Sequence, residues 1–124
     1  MTQALIVEDN SFFREVFKEK LLDYFPSMSI HGAINGKEAI EKITRMPPHL
    51  IFMDICLPGL NGLQLTRKIK GEFPKIKIAI LTSYDFPEYQ QAASQAGADG
   101  FFVKDSLDIK EIVKFVYSLS KSNR

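Results

Sequence analysis

The stretch "LIFMDICLPGLNG", Leu50 to Gly62, sets one carboxylate, Asp54, directly after four apolar residues and just before a loop rich in proline and glycine. Four apolar residues without polar alternation predict a strand buried on both faces, and the turn residues behind them predict an abrupt end. An acidic group at the lip of such a strand needs a reason.

Four more runs recur at fairly even intervals: "ALIV" (4–7), "MSIHGA" (28–33), "KIAIL" (77–81) and "GFFV" (100–103). Between them apolar residues take a helical period: Phe13, Val16, Phe17, Leu21 and Tyr24, then Ala39, Ile40 and Ile43, then Leu63, Leu65, Ile69 and Phe73. A last helix follows the fifth strand, with Ile109, Ile112, Val113, Val116 and Leu119 on one face. Strands that alternate with helices predict a doubly wound α/β fold: a five-stranded parallel sheet with helices on both faces.

The punctuation agrees. Pro47-Pro48 ends the second helix, Asn61-Gly62 opens the third, and Gly97 and Gly100 flank the approach to the last strand. Asp85-Phe86-Pro87-Glu88 reads as a capping arrangement with Asp85 at the cap. The helix it opens offers its core mainly Tyr89, Ala92, Ala93 and Ala96, so it is expected to be the most mobile of the helices.

At 124 residues the chain fits one domain over 1–124, with 120–124 a polar tail or the start of a linker. Lys and Arg number 16 against 15 Asp and Glu, and a balance of +1 gives no general attraction to nucleic acid or membrane surfaces. A single cysteine makes no internal disulfide, no apolar run approaches the ~20 residues of a membrane span, and no signal-peptide pattern opens the chain. The expected setting is a reducing cytoplasm.

In an open parallel sheet, ligands bind beyond the carboxyl ends of the strands, where the strand order reverses. There the first strand ends in Glu8-Asp9, the third in Asp54, the fourth in Thr82-Ser83 and the fifth in Lys104-Asp105. Any one of these is what a solvated loop or a helix cap also offers, Asp9 or Asn10 for the first helix among them. Their joint placement is different. Three carboxylates ~5 Å apart repel by about 3 kcal/mol per pair at an effective dielectric of 20, so positive charge must compensate. Lys104 supplies one charge and a divalent cation the rest; Mg²⁺ suits hard oxygen ligands. His31 and His49 have no partner at metal-ligand spacing and read as structural or solvated.

The motifs "LIVEDN", "IFMDICLPGLNG", "ILTS" and "GFFVKD", in this order and at these strand ends, resemble those of bacterial two-component response-regulator receiver domains, CheY-like and flavodoxin-like in fold, across essentially all of 1–124. The resemblance implies a phosphoacceptor signalling domain, not an enzyme acting on other substrates. It implies that Asp54 accepts a phosphoryl group from a sensor histidine kinase. Mg²⁺ is then bound by Asp9, Asp54 and the main-chain carbonyl of Cys56, with Glu8, in place of the more usual Asp, reaching it through water. Lys104 pairs with the phosphoryl group, Thr82 donates its hydroxyl, and Phe101 fills the space the hydroxyl leaves, so that Thr82 and Phe101 form the switch. Cys56 and Tyr84 govern how long the phosphoryl group persists. Neither orients a water well, and Tyr84 can cover its approach, so slow self-dephosphorylation is expected.

"NSFFREVFKEKL" and the "VKD" ending, with Asp105 where many receivers have proline, resemble receivers of LuxR-type transcription regulators. That implies a phosphorylation-dependent homodimer, and contact with DNA only through an output domain absent from these residues; no membrane partner is implied. The helix after Thr82, with the fifth strand and last helix, is the expected dimer or output face. Phe115 either belongs to that face or to the core.

Four other readings fit less well. Phosphatases of the haloacid-dehalogenase type need a second Asp two residues after the nucleophile, where Cys56 offers only a thiol. A flavodoxin-type cofactor module needs a phosphate cradle after the first strand, where "EDNSFF" presents two negative charges. "GAINGKE" is one residue short of a nucleotide-binding loop, with Glu38 where Ser or Thr would hold the metal. Cys56 as a redox sensor lacks a basic neighbour in sequence.

Overall fold

The computed structural model describes residues 2–122, with side chains described to Leu119. Strands and helices alternate in the order β1 (Gln3–Val7), α1 (Ser11–Tyr24), β2 (Ser29–Ala33), α2 (Gly36–Arg45), β3 (Leu50–Asp54), α3 (Gly62–Glu72), β4 (Lys77–Thr82), α4 (Pro87–Gln95), β5 (Gly100–Val103) and α5 (Ile109–Ser122), with a short 3₁₀ turn, Lys104–Ser106, before α5. All strands are parallel, in the order β2-β1-β3-β4-β5. The chain winds one way from β1 to β2 and the other way from β3 onward, so the carboxyl ends of β1 and β3 flank the switch point. Register sets Val7 beside Met53, Asp54 beside Leu81 and Thr82 beside Val103.

Side-chain alternation along the buried strands divides the core into two layers. Leu5, Val7, Ile51, Met53, Ile78 and Ile80 pack under α2, α3 and α4 with Ile43, Leu65, Ile69 and Ala93. On the opposite face Ala4, Ile6, Phe52 and Leu81 meet Phe17 and Leu21 of α1 and Ile112 and Val116 of α5. Phe101 and Phe102 part as adjacent strand residues must: Phe101 packs against the first layer and Phe102 against the second.

Two local expectations are corrected and one open alternative is decided. Tyr24 is 45% exposed, because α1 ends there and Phe25, at the C-cap, turns inward in its place and meets the Tyr117 ring at 5.4 Å. Asp85 does not cap α4: Phe86 holds the cap position without a side-chain hydrogen bond, and its ring packs against Tyr84 and Tyr89 at centroid distances of 6.5 and 5.9 Å. Aromatic contact replaces the polar cap. Phe115 belongs to the core, edge-on to Phe102 at 5.6 Å. The backbone of 120–122 continues α5, and the remainder of the expected tail, 123–124, lies outside the described residues.

Candidate phosphoacceptor site

Asp54 ends β3 with its whole strand buried, and is itself only 6% exposed. The loop behind it folds back tightly. Ile55 and Leu57 are buried, and the Gly62 N–H donates to the Ile55 carbonyl at 2.8 Å. A Cβ on Gly62 would stand 1.9 Å from the Asp54 main-chain oxygen and 2.8 Å from the Ile55 Cα, so only glycine fits. Asn61 caps α3 just before it, in a reciprocal arrangement with Gln64. In the sequence Gly62 reads as punctuation, yet a glycine in the first turn of a helix, where propensity disfavours it, is the signal of a close approach.

At the end of β1 the two acidic residues part. The Asn10 side chain accepts from the Phe13 N–H at 3.0 Å and caps α1, which leaves the exposed Asp9 carboxylate without a hydrogen bond or ion pair among the described residues. Glu8 points inward and is buried. Its carboxylate accepts from the Asn10 N–H at 3.1 Å and pairs directly with the Lys104 ammonium, while Arg14 donates to its main-chain carbonyl at 2.6 Å. Burial raises the Glu8 pKa above the usual 4.5; Lys104 and the Asn10 N–H oppose that shift, and the Asp54 charge adds to it. One Glu8 oxygen thus faces Lys104 and the other the Asn10 N–H.

Lys104 also stands 3.5 Å from Asp54 Oδ2, whose partner oxygen Oδ1 accepts from the Cys56 N–H at 3.3 Å. One ammonium therefore bridges two buried carboxylates. Glu8, Asp9 and Asp54 each offer an oxygen within 4.8 Å of the others, a hard-oxygen donor set of the kind a divalent cation requires. Asp105 is exposed and stands outside this group.

Thr82 is fully buried at the end of β4, its hydroxyl oxygen accepting from the Tyr84 N–H at 3.1 Å. Tyr84 lies near Cys56, and the neighbouring thiol is the main cause that raises the phenol pKa above its ordinary value. The two positions that the resemblance ties to phosphoryl lifetime thus meet at the mouth. Phe101, paired in register with Ile80, is half-buried on the α4 side of the sheet. His31 lies exposed in β2 beside Ser29, and His49 accepts from the Gln3 N–H at 3.0 Å; neither approaches the site.

A parallel five-stranded sheet with an acid-lined mouth at its switch point defines a class, and comparison assigns the family. The chain belongs to the response regulator receiver domain family, whose profile matches residues 4–117. Among curated proteins it is similar to the oxygen regulatory protein NreC of Staphylococcus epidermidis, 35% identical over 119 residues that cover 93% of this chain and 54% of that protein. It is also similar to the response regulator GacA of Pseudomonas viridiflava, 27% identical over 120 residues, 95% of this chain and 56% of that one. The chain spans about half the length of the curated relatives it matches.

Among solved structures, a LuxR-family two-component response regulator from an Aurantimonas species superposes with a TM-score of 0.87 at 27% identity, covering 98% of this chain and 86% of that one. A signal receiver domain from Colwellia psychrerythraea reaches 0.91 over 98% and 99% of the two chains, and at 22% identity shows the shared fold alone. No described helix is long and apolar enough to cross a membrane.

Proposed function

We propose that Asp54 is the phosphoacceptor of a two-component signalling system. The observation that carries this is the Lys104 ammonium, held between the buried carboxylates of Glu8 and Asp54 at the end of the strand where the fold places ligands. An Asp54 oxygen attacks the phosphorus of a histidine kinase's phosphohistidine. The P–N bond breaks, its electron pair returns to the imidazole, and an aspartyl phosphate remains. Lys104 and the Thr82 hydroxyl stand to receive the phosphoryl oxygens.

Asp9, Asp54 and the Cys56 main-chain carbonyl would hold Mg²⁺, with Glu8 contributing through water, and the ion would neutralise charge on the transferring group. The domain catalyses only its own phosphorylation and slow dephosphorylation. A new anion at Asp54 draws Thr82 toward it and Phe101 into the space released. A coupling of about 1 to 3 kcal/mol, roughly 5- to 150-fold, then shifts α4. That shift controls dimerisation or an output domain, and the LuxR-type relatives support a transcriptional output whose DNA contacts lie outside these residues.

The test is mass spectrometry after incubation with acetyl phosphate and Mg²⁺. One phosphoryl group should be added, and both chelation of the metal and Asp54→Ala should abolish it. An undiminished shift in Asp54→Ala would refute the assignment.

A further inference from the structure

One contact at the mouth is used by none of these steps. The Lys104 ammonium stands 4.4 Å from the centre of the Phe13 ring, over its face. That ring stacks on Phe17 at 5.8 Å with 10° between the planes, and Phe17 meets Phe52 edge-on at 5.0 Å and 79°. Phe17 and Phe52 are both buried, and Phe52 precedes Asp54 by two residues on the same strand. Three rings thus form a ladder from the interior of the acceptor strand, through α1, to the cation that faces the acceptor.

We infer that Phe13 is a positioning residue for phosphoryl transfer: its ring face, braced by Phe17 and Phe52, keeps the Lys104 ammonium at the mouth within reach of Asp54. The inference rests on the reading of Asp54 as phosphoacceptor. A lysine side chain carries a strongly hydrated point charge on a flexible four-carbon stem, and without restraint many of its rotamers run out into water. The carboxylates of Glu8 and Asp54 restrain it only through directional contacts, and these must be exchanged when phosphoryl oxygens arrive. Attraction to a ring face is different, because the ammonium can shift across the face while the ring quadrupole still attracts it. Phe13 therefore holds the cation in range while its hydrogen-bond partners change.

The Lys104 side chain is only 13% exposed, so this attraction operates where water screens it little. Leucine at position 13 would cover the lysine stem but would offer no negative face. Removal of the ring face should slow phosphorylation about 3- to 30-fold, the range set by cation–π attraction at partly to well desolvated sites.

Two readouts test this on the same proteins. The first is the NMR shift of the Lys104 ε-methylene protons, which the ring current of Phe13 should move upfield in wild type and in Phe13→Tyr but not in Phe13→Leu. The second is the rate of Asp54 phosphorylation by acetyl phosphate, which should fall in Phe13→Leu and be restored in Phe13→Tyr. Because the leucine variant also disturbs the ladder, a series with mono-, di- and trifluorinated phenylalanine at position 13 keeps the ring in place while it weakens the π face. The rate should decline stepwise along that series.

A flat rate across the fluorinated series, a leucine variant as fast as wild type, or a tyrosine variant as slow as leucine would overturn the inference. Wild type that takes up no phosphoryl group at Asp54 would instead overturn the phosphoacceptor reading. In that event the ε-methylene shift would still show whether Phe13 holds Lys104.

Discussion

Helices α3 and α4 lie on the same face of the sheet, one after the strand that ends in Asp54 and one after the strand that ends in Thr82, yet they are held very differently. Helix α3 has a reciprocal cap between Asn61 and Gln64 and buries Gly62, Leu65, Thr66 and Ile69. Helix α4 has no side-chain cap and buries only Ala93, with Ala96 just beyond its end. At its N-terminal end Tyr89 meets Tyr84 and Phe86 of the preceding loop, and those two rings are exposed. Apolar burial is what resists local opening, so the helix after Asp54 is held more firmly than the helix after Thr82. A signalling domain needs both: an oxygen aimed in advance, and an element whose equilibrium a single new anion can shift.

Substitutions sharpen this contrast in descending order of effect. Gly62→Ala should be the most damaging, because its methyl group collides with the backbone of Asp54 and Ile55, and the loss should be on the order of 4 kcal/mol or more in urea unfolding. A near-neutral result would show that the acceptor loop is not clamped. Ile69→Ala in α3 should cost about 2 to 5 kcal/mol and Tyr89→Ala in α4 about 1 to 2, since the first opens a cavity in the core and the second removes a half-buried ring. Equal losses would erase the contrast.

A smaller effect concerns lifetime. With Tyr84 against Cys56 at the mouth, Tyr84→Ala should let water reach the aspartyl phosphate and speed its decay several-fold, worth under about 1.4 kcal/mol. Cys56→Asn with Tyr84→Glu, which adds groups able to orient that water, should be faster still. Decay followed without kinase is the measurement, and unchanged lifetimes in both would remove these side chains from the account.

The smallest is a pH effect. Because burial raises the folded-state pKa of Glu8 above 4.5, its contribution to stability is full below that pH and is lost as pH rises through the folded value. Wild type should therefore lose stability relative to Glu8→Gln as pH rises above 4.5, read as the difference of urea midpoints. A relative gain would mean that pairing with Lys104 outweighs desolvation.

Legibility in the sequence followed the range of the interactions. β1, β3, β4 and β5 could be read because each carries a continuous apolar run, whereas the edge strand β2 buries only Ile30 and Ala33; the end of each strand told which residues would share the mouth. Asn61 was readable as punctuation because a cap acts within three residues. Asp85 was misread because cap-like spacing does not reveal that Phe86, packed on its aromatic neighbours, takes the cap position. The pairing of Glu8 with Lys104 lay beyond local pattern altogether: 96 residues separate them, and β1 and β5 are not neighbours, so the lysine reaches back across the end of the sheet. Phe13 looked like one more residue of an apolar stripe, and only the folded chain sets its ring under the ammonium.

The central claim, a fixed acceptor beside a movable element, is tested most directly by amide shifts recorded with and without beryllofluoride and Mg²⁺, in wild type and in Thr82→Ala. In wild type, amides from 83 to 104 should move while those of α3 stay within the changes of a bound ligand's near field, and Thr82→Ala should bind the anion yet show a reduced response in α4. Shifts as large in α3 as in α4, or an α4 response undiminished without the Thr82 hydroxyl, would contradict it.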